Sequence, residues 1–187
     1  MYAINVTLEG IGRGLLQHKF SDEATAQLSS DIKKVNKKRG SEEEEAEKSA
    51  YRLENGNLYL PAEHFLSAII EAGATLQVQG KGKSTYKKVF KGQLDITPDC
   101  IVLHDSNNNP IKNFEVDKRP VVIQTARIIR YRPFIKKWMA TFQVTVNDDA
   151  IPISVVQEAI QEAGKSKCVG DYRPRFGQFR IVSCQKA

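Results

Sequence analysis

The sequence predicts an α+β fold, with two helices packed on an antiparallel sheet, from three observations. Residues 2–8 alternate Tyr2, Ile4, Val6 and Leu8 against Ala3, Asn5 and Thr7, the period of a half-buried strand. Trp138, Ala140, Phe142, Val144 and Val146 alternate in the same way against Met139, Thr141, Gln143 and Thr145. Two apolar helical stretches end alike, in Ala68-Ile69-Ile70-Glu71-Ala72-Gly73 and Ala159-Ile160-Gln161-Glu162-Ala163-Gly164. Two helical crossovers among antiparallel strands give β-α-β-β-α-β, the ferredoxin-like arrangement.

Taken in order, the first strand runs into Gly10-Ile11-Gly12-Arg13-Gly14, where closely spaced glycines oppose regular structure. Residues 21–50 are polar and charge-blocky and read as an inserted flexible charged segment or a helical pair. Asn55-Gly56 gives a tight turn between Tyr51-Arg52-Leu53 and Leu58-Tyr59-Leu60. Pro61 suits the start of a helix carrying Phe65, Leu66, Ile69 and Ile70 and ending near Gly73. A lysine-rich loop is expected over 80–92, one or two strands over 94–103, and a loop over Asp105–Pro110. Val121–Tyr131 is expected to pair antiparallel with 138–146, with Arg132-Pro133-Phe134 near the connection. Ser154-Val155-Val156-Gln157 reads as a capping box opening a helix that stops at Gly164, and Gln178–Cys184 as the last strand.

The chain has 187 residues, 41% hydrophobic and 27% charged, and fits one globular domain spanning 1–187. No apolar run is long enough to span a bilayer, and the N-terminus has no signal-peptide pattern, so a cytoplasmic protein with no membrane partner is expected. Cys100, Cys168 and Cys184, like His18, His64 and His104, are scattered, which predicts free thiols and neither a metal site nor a cofactor.

Charge is segregated along the chain, whose net charge is +6. Glu42, Glu43, Glu44, Glu45 and Glu47 are packed together, whereas Lys118–Asn147 contains seven Lys or Arg and no acid. Gly80–Gly92 adds five lysines, again with no acid. Such segregation is the footprint of a polyanion partner.

The strongest local motif is Gly170-Asp171-Tyr172-Arg173-Pro174-Arg175-Phe176-Gly177. Arginine forks pair with phosphate, Tyr172 and Phe176 can stack on unpaired bases, and Gly170 and Gly177 allow close backbone approach. Arg130 and Arg132 share one face of a strand and would extend a basic surface, with Tyr131 turned to the core. Lys81, Lys83, Lys87 and Lys88, with Arg13 in the glycine turn, complete the expected nucleic-acid-binding set. The Gly-Lys-Ser fragment at 82–84 lacks the spacing of a nucleotide-binding P-loop. His18, after the first strand, is the one candidate acid or base; Asp22 and Asp31 have no convincing metal partner.

With these residues in place, the chain resembles the RAMP superfamily, the ferredoxin-like RNA-binding proteins of CRISPR antiviral systems, nearest to their effector backbone subunits. The likeness rests on Val6–Leu16, the charged insertion, Leu58-Tyr59-Leu60-Pro61 at the head of a helix, and Gly170–Gly177 before the last strand. It also resembles stand-alone phage or mobile-element relatives. The resemblance implies RNA held on a basic face, an inserted thumb at 21–50, Gly170–Gly177 as the RNA-contacting loop, and head-to-tail assembly. The expected function is non-catalytic binding of single-stranded RNA or DNA, as a homo-oligomer or in a multi-subunit ribonucleoprotein. The alternatives are a metal-independent endoribonuclease of the repeat-processing type using His18, and a structural assembly protein whose Glu42–Glu47 docks on lysines of the next copy.

Overall fold

A computed structural model describes residues 1–19, 40–123 and 126–187. Asp22, Asp31 and most of the inserted segment lie outside the described residues. The chain is a mixed α+β fold with two antiparallel sheets and, among the described residues, four α-helices.

The strands are β1 (Tyr2–Gly10), β2 (Leu15–Leu16), β3 (Tyr59–Pro61), β4 (Leu94–Thr97), β5 (Cys100–His104), β6 (Glu115–Ile123), β7 (Ala126–Ile135), β8 (Met139–Val146) and β9 (Phe179–Lys186). The helices are α1 (Glu42–Lys48), α2 (Ala62–Ala72), α3 (Tyr86–Gln93) and α4 (Ile153–Glu162). In the larger sheet β1 lies between β8 and β9, while the far edge of β8 pairs with β4 along one stretch and with β5, then β3, along another. The smaller sheet has the order β2-β7-β6.

Alternation along β1 and β8 builds the core. Ile4, Val6 and Leu8 pair in register with Val144, Phe142 and Ala140, all buried, and α2 lays Phe65, Ala68 and Ile69 over them. Phe65 sits against Phe142 at 4.9 Å and Trp138 at 6.4 Å between ring centroids. The opposite face of β1 and β8 is polar: Gln143 donates to Asn5 at 3.1 Å, and Thr7 meets Thr141 at 3.2 Å. Gln17, fully buried, ties the two sheets together. Its amide donates to the Tyr59 carbonyl (2.8 Å), and its carbonyl accepts from the Tyr51 N–H (2.9 Å).

Several expectations are corrected. β7 does not pair with β8; it forms a long hairpin with β6, because both edges of β8 are already paired, one with β1 and the other with β4 and β5. The helix α4 starts at Ile153 behind Pro152 with no side-chain cap, so Ser154–Gln157 is not a capping box. The chain then continues into a π-turn, Ala163–Lys167, instead of stopping at Gly164. Gly164 serves packing, since a Cβ there would lie 2.1 Å from the Phe179 carbonyl. The capping box is instead at Ser41 and Glu44, opening α1 within the supposed flexible segment. Nor is 80–92 a loop throughout. Val78 donates to the Ser84 carbonyl at 2.9 Å in a closed turn, and residues 86–93 are α3, held to α2 by Lys87–Glu71 at 2.8 Å.

Candidate nucleic-acid interface

Alternation on the β6–β7 hairpin sends two sets of side chains in opposite directions. One side carries Lys118 and Tyr131 and faces α1, where Lys118 pairs with Glu42 at 2.6 Å and lies 5.3 Å over the Tyr131 ring. Tyr131 thus faces α1 rather than the main core. The other side carries Arg119, Arg130, Asp117, Arg132 and Phe134, paired across the strands, and faces the 170–177 loop.

Backbone contacts hold that loop against β2. Gly177 N–H donates to the Gly14 carbonyl (2.8 Å) and Asp171 N–H to the Leu16 carbonyl (2.8 Å). Both bracketing glycines have positive φ, +77° at Gly170 and +76° at Gly177. A Cβ at Gly170 would fall 2.5 Å from the Leu16 carbonyl oxygen, and one at Gly177 1.7 Å from that of Val169. These glycines therefore meet the protein's own backbone, a role that sequence reasoning assigned to a phosphate.

The loop side chains divide into two sets. Phe176 is buried, 4.4 Å beneath the Arg119 guanidinium and 6.3 Å from Phe134, so it is an anchor and not a stacking platform. Arg132 is also buried and ion-paired with Asp171 at 2.6 Å, so it does not extend an open basic surface. That contact is ionic without an aligned N–H···O bond. Arg119 is clamped by Asp117 at 2.7 Å and lies 5.5 Å over Tyr172. Tyr172 is 38% exposed and edge-on to Phe176, and Arg173 and Arg175 are exposed beside it. Arg13 is exposed in the neighbouring turn, next to the Gly14 carbonyl that receives Gly177.

Arg130 Nη1 lies 2.8 Å from His18 Nε2. A guanidinium can only donate, so Nε2 accepts and His18 is the neutral tautomer protonated at Nδ1. Burial lowers the His18 pKa from its ordinary 6.5, Arg130 and Arg132 add to this, and Asp171 opposes it. Burial likewise lowers His64, on the first turns of α2, with Arg173 adding and Glu63 opposing. Both imidazoles bind protons less well folded than unfolded, so stability is full above 6.5 and declines as pH falls from there toward the folded values. Urea midpoints should therefore drop between about pH 7 and about pH 5. The His18→Gln/His64→Gln double variant should flatten that drop; an unchanged drop would contradict the assignment.

The structure gathers Arg13, Arg130, Arg132, Arg173, Arg175 and Tyr172 around one seam but leaves the lysines elsewhere. Lys87 pairs with Glu71 on the last turn of α2, while Arg173 acts on His64 seven residues earlier, about 10 Å along the helix. Lys81, Lys83 and Lys88 are exposed with Lys87 at that far end, as a second patch. Sequence reasoning missed Arg119 and His64. Asp117 and Arg119 share a strand face, a signal that was available, whereas a lone His on an amphipathic helix gives none. Among the described residues, no three His, Cys, Asp or Glu gather as metal ligands, and no helix is long and apolar enough to cross a membrane. Comparison with known proteins gives no match, either to a family model or to a curated sequence.

Proposed function

We propose that this chain binds single-stranded nucleic acid, RNA foremost, without cleaving it, along the seam between the 170–177 loop and the β6–β7 hairpin. The observation that carries the reading is the loop itself: Tyr172, Arg173 and Arg175 are exposed on a backbone fixed from beneath by Gly177–Gly14, Asp171–Leu16 and Arg119 over Phe176. Exposed arginines on a fixed backbone meet phosphates with only their own side chains left to order, and an exposed ring offers a stacking face. The outward face of β1 and β8 carries Asn5, Thr7, Thr141 and Gln143 and no aromatic, which favours the loop side for unpaired bases.

A ferredoxin-like core, and with it a place near the RAMP superfamily, belongs to the same proposal. It is supported by the strand order β4-β8-β1-β9, the helices α2 and α4 as crossovers, and a glycine loop ahead of the last strand. Assembly of copies along the strand, in the cytoplasm, completes it. The rival readings draw less support. His18 already spends its Nε2 lone pair on Arg130, and Glu42 and Glu47 are paired within the chain with Lys118 and Arg52.

The test is to purify the protein at low salt and digest what co-elutes. The proposal expects bound nucleic acid sensitive to ribonuclease. Protein that carries no nucleic acid and captures none when offered would contradict it.

A further inference from the structure

Beside the seam, at the opposite end of the hairpin from its tip, an open groove of about 430 Å³ has Phe114 and Phe134 in its wall and Lys112, Lys136 and Lys137 on its rim. The volume lies within the roughly 300–1,000 Å³ of small-ligand sites. Both rings are half-buried, and all three lysines are exposed. The wall is braced from behind. Arg52 Nη1 donates to the Lys112 carbonyl at 2.7 Å and its guanidinium sits 5.6 Å from the Phe114 centroid, while Phe134 meets the edge of Phe176 at 6.3 Å. Of the two acids at the rim, Asp105 is already engaged, accepting from the N–H groups of Asn107 (2.8 Å) and Asn109 (2.9 Å). Glu115 is the other, and the lysines outnumber it.

We infer that this groove is a base-stacking subsite that takes an unpaired base of a single-stranded nucleic acid against Phe114 and Phe134, with Lys112, Lys136 and Lys137 on the flanking phosphates. The inference rests on the proposed function and extends it. The groove adjoins the seam: its wall residue Phe134 packs on buried Phe176, whose other neighbours are Tyr172 and Arg119 of the seam. A strand leaving Arg173 and Arg175 in that direction would meet a second aromatic wall with its own cations. Aromatic walls and cations in one groove are the pairing that single strands need, since every base has a π-face and every linkage a charge. The rings offer only their π-faces, so the stacking itself does not choose between bases.

The probe is a short oligouridine with 2-aminopurine at successive positions, titrated onto wild type, Phe114→Leu and Lys136→Glu/Lys137→Glu. Leucine keeps the apolar volume of Phe114 but removes its π-face, and thermal melts check that each variant folds. Stacking predicts quenching of 2-aminopurine by wild type and its loss in Phe114→Leu, with about 5- to 100-fold weaker binding. The double lysine variant should reduce the slope of log affinity against log salt by at least about 1.4, the loss of two phosphate contacts at about 0.7 each. If wild type binds the strand and both variants bind equally well, the subsite is wrong and the seam stands. If wild type binds no single strand at any salt, the proposed function and the subsite fall together.

Discussion

Replacing Gly177 by alanine is expected to destabilise the protein by about 3–5 kcal/mol, adding left-handed strain to a backbone collision. The alanine Cβ would fall 1.7 Å from the Val169 carbonyl oxygen and 2.7 Å from its carbon, at a φ of +76°. No flexible side chain can yield there, because both contacts are backbone. Gly82, at φ +59° with nothing within 4 Å, is the control, and its alanine variant should cost only about 1–2 kcal/mol. Urea unfolding of the two variants measures the difference. Equal midpoints would mean that the loop is not clamped as described.

The second large effect is at Arg132 and Asp171. Asp171→Ala leaves a guanidinium buried among Arg130 and His18 without its counter-charge, and should cost about 3 kcal/mol. The reverse deletion is milder, because Asp171 is 31% exposed against 7% for Arg132, so water can reach a lone carboxylate. Arg132→Met should therefore cost about 1 kcal/mol, and the Arg132→Met/Asp171→Ala double variant should be more stable than Asp171→Ala alone. Additive single effects in a double-mutant cycle would refute the pairing.

The strands most legible in the sequence are those whose burial follows their own alternation, β1 and β8, together with the apolar face of α2. Partner choice was not legible. β7 and β8 are neighbours in the chain and both rich in strand formers, which suggested a hairpin between them. The true partner of β7 is β6, Glu115–Ile123, whose charges and Pro120 hide a strand lying between α1 and the loop with no simple apolar face. Similarly, Ser154 matches a capping-box pattern locally, but Pro152 sets the start of α4.

At the candidate site, the structure gives internal partners to half of the residues that the sequence pointed to as ligand contacts. Gly170 and Gly177 do allow a close backbone approach, but the backbone approached is that of β2 and Val169. Arg132 and Phe176 looked like ligand contacts because their partners, Asp171, Arg119 and Phe134, are remote in sequence or unpaired in any local pattern. Of the loop, Tyr172, Arg173 and Arg175 remain exposed after those pairings, beside Arg13, a smaller surface than the one first expected.

The most direct test of that surface is the salt dependence of binding to a labelled single-stranded RNA, followed by fluorescence anisotropy. Wild type should lose affinity linearly in log–log coordinates as salt rises, and Arg173→Ala/Arg175→Ala should bind more weakly with a slope shallower by about 1.4, two phosphate contacts at about 0.7 each. A double variant that keeps the wild-type affinity and slope would contradict the account.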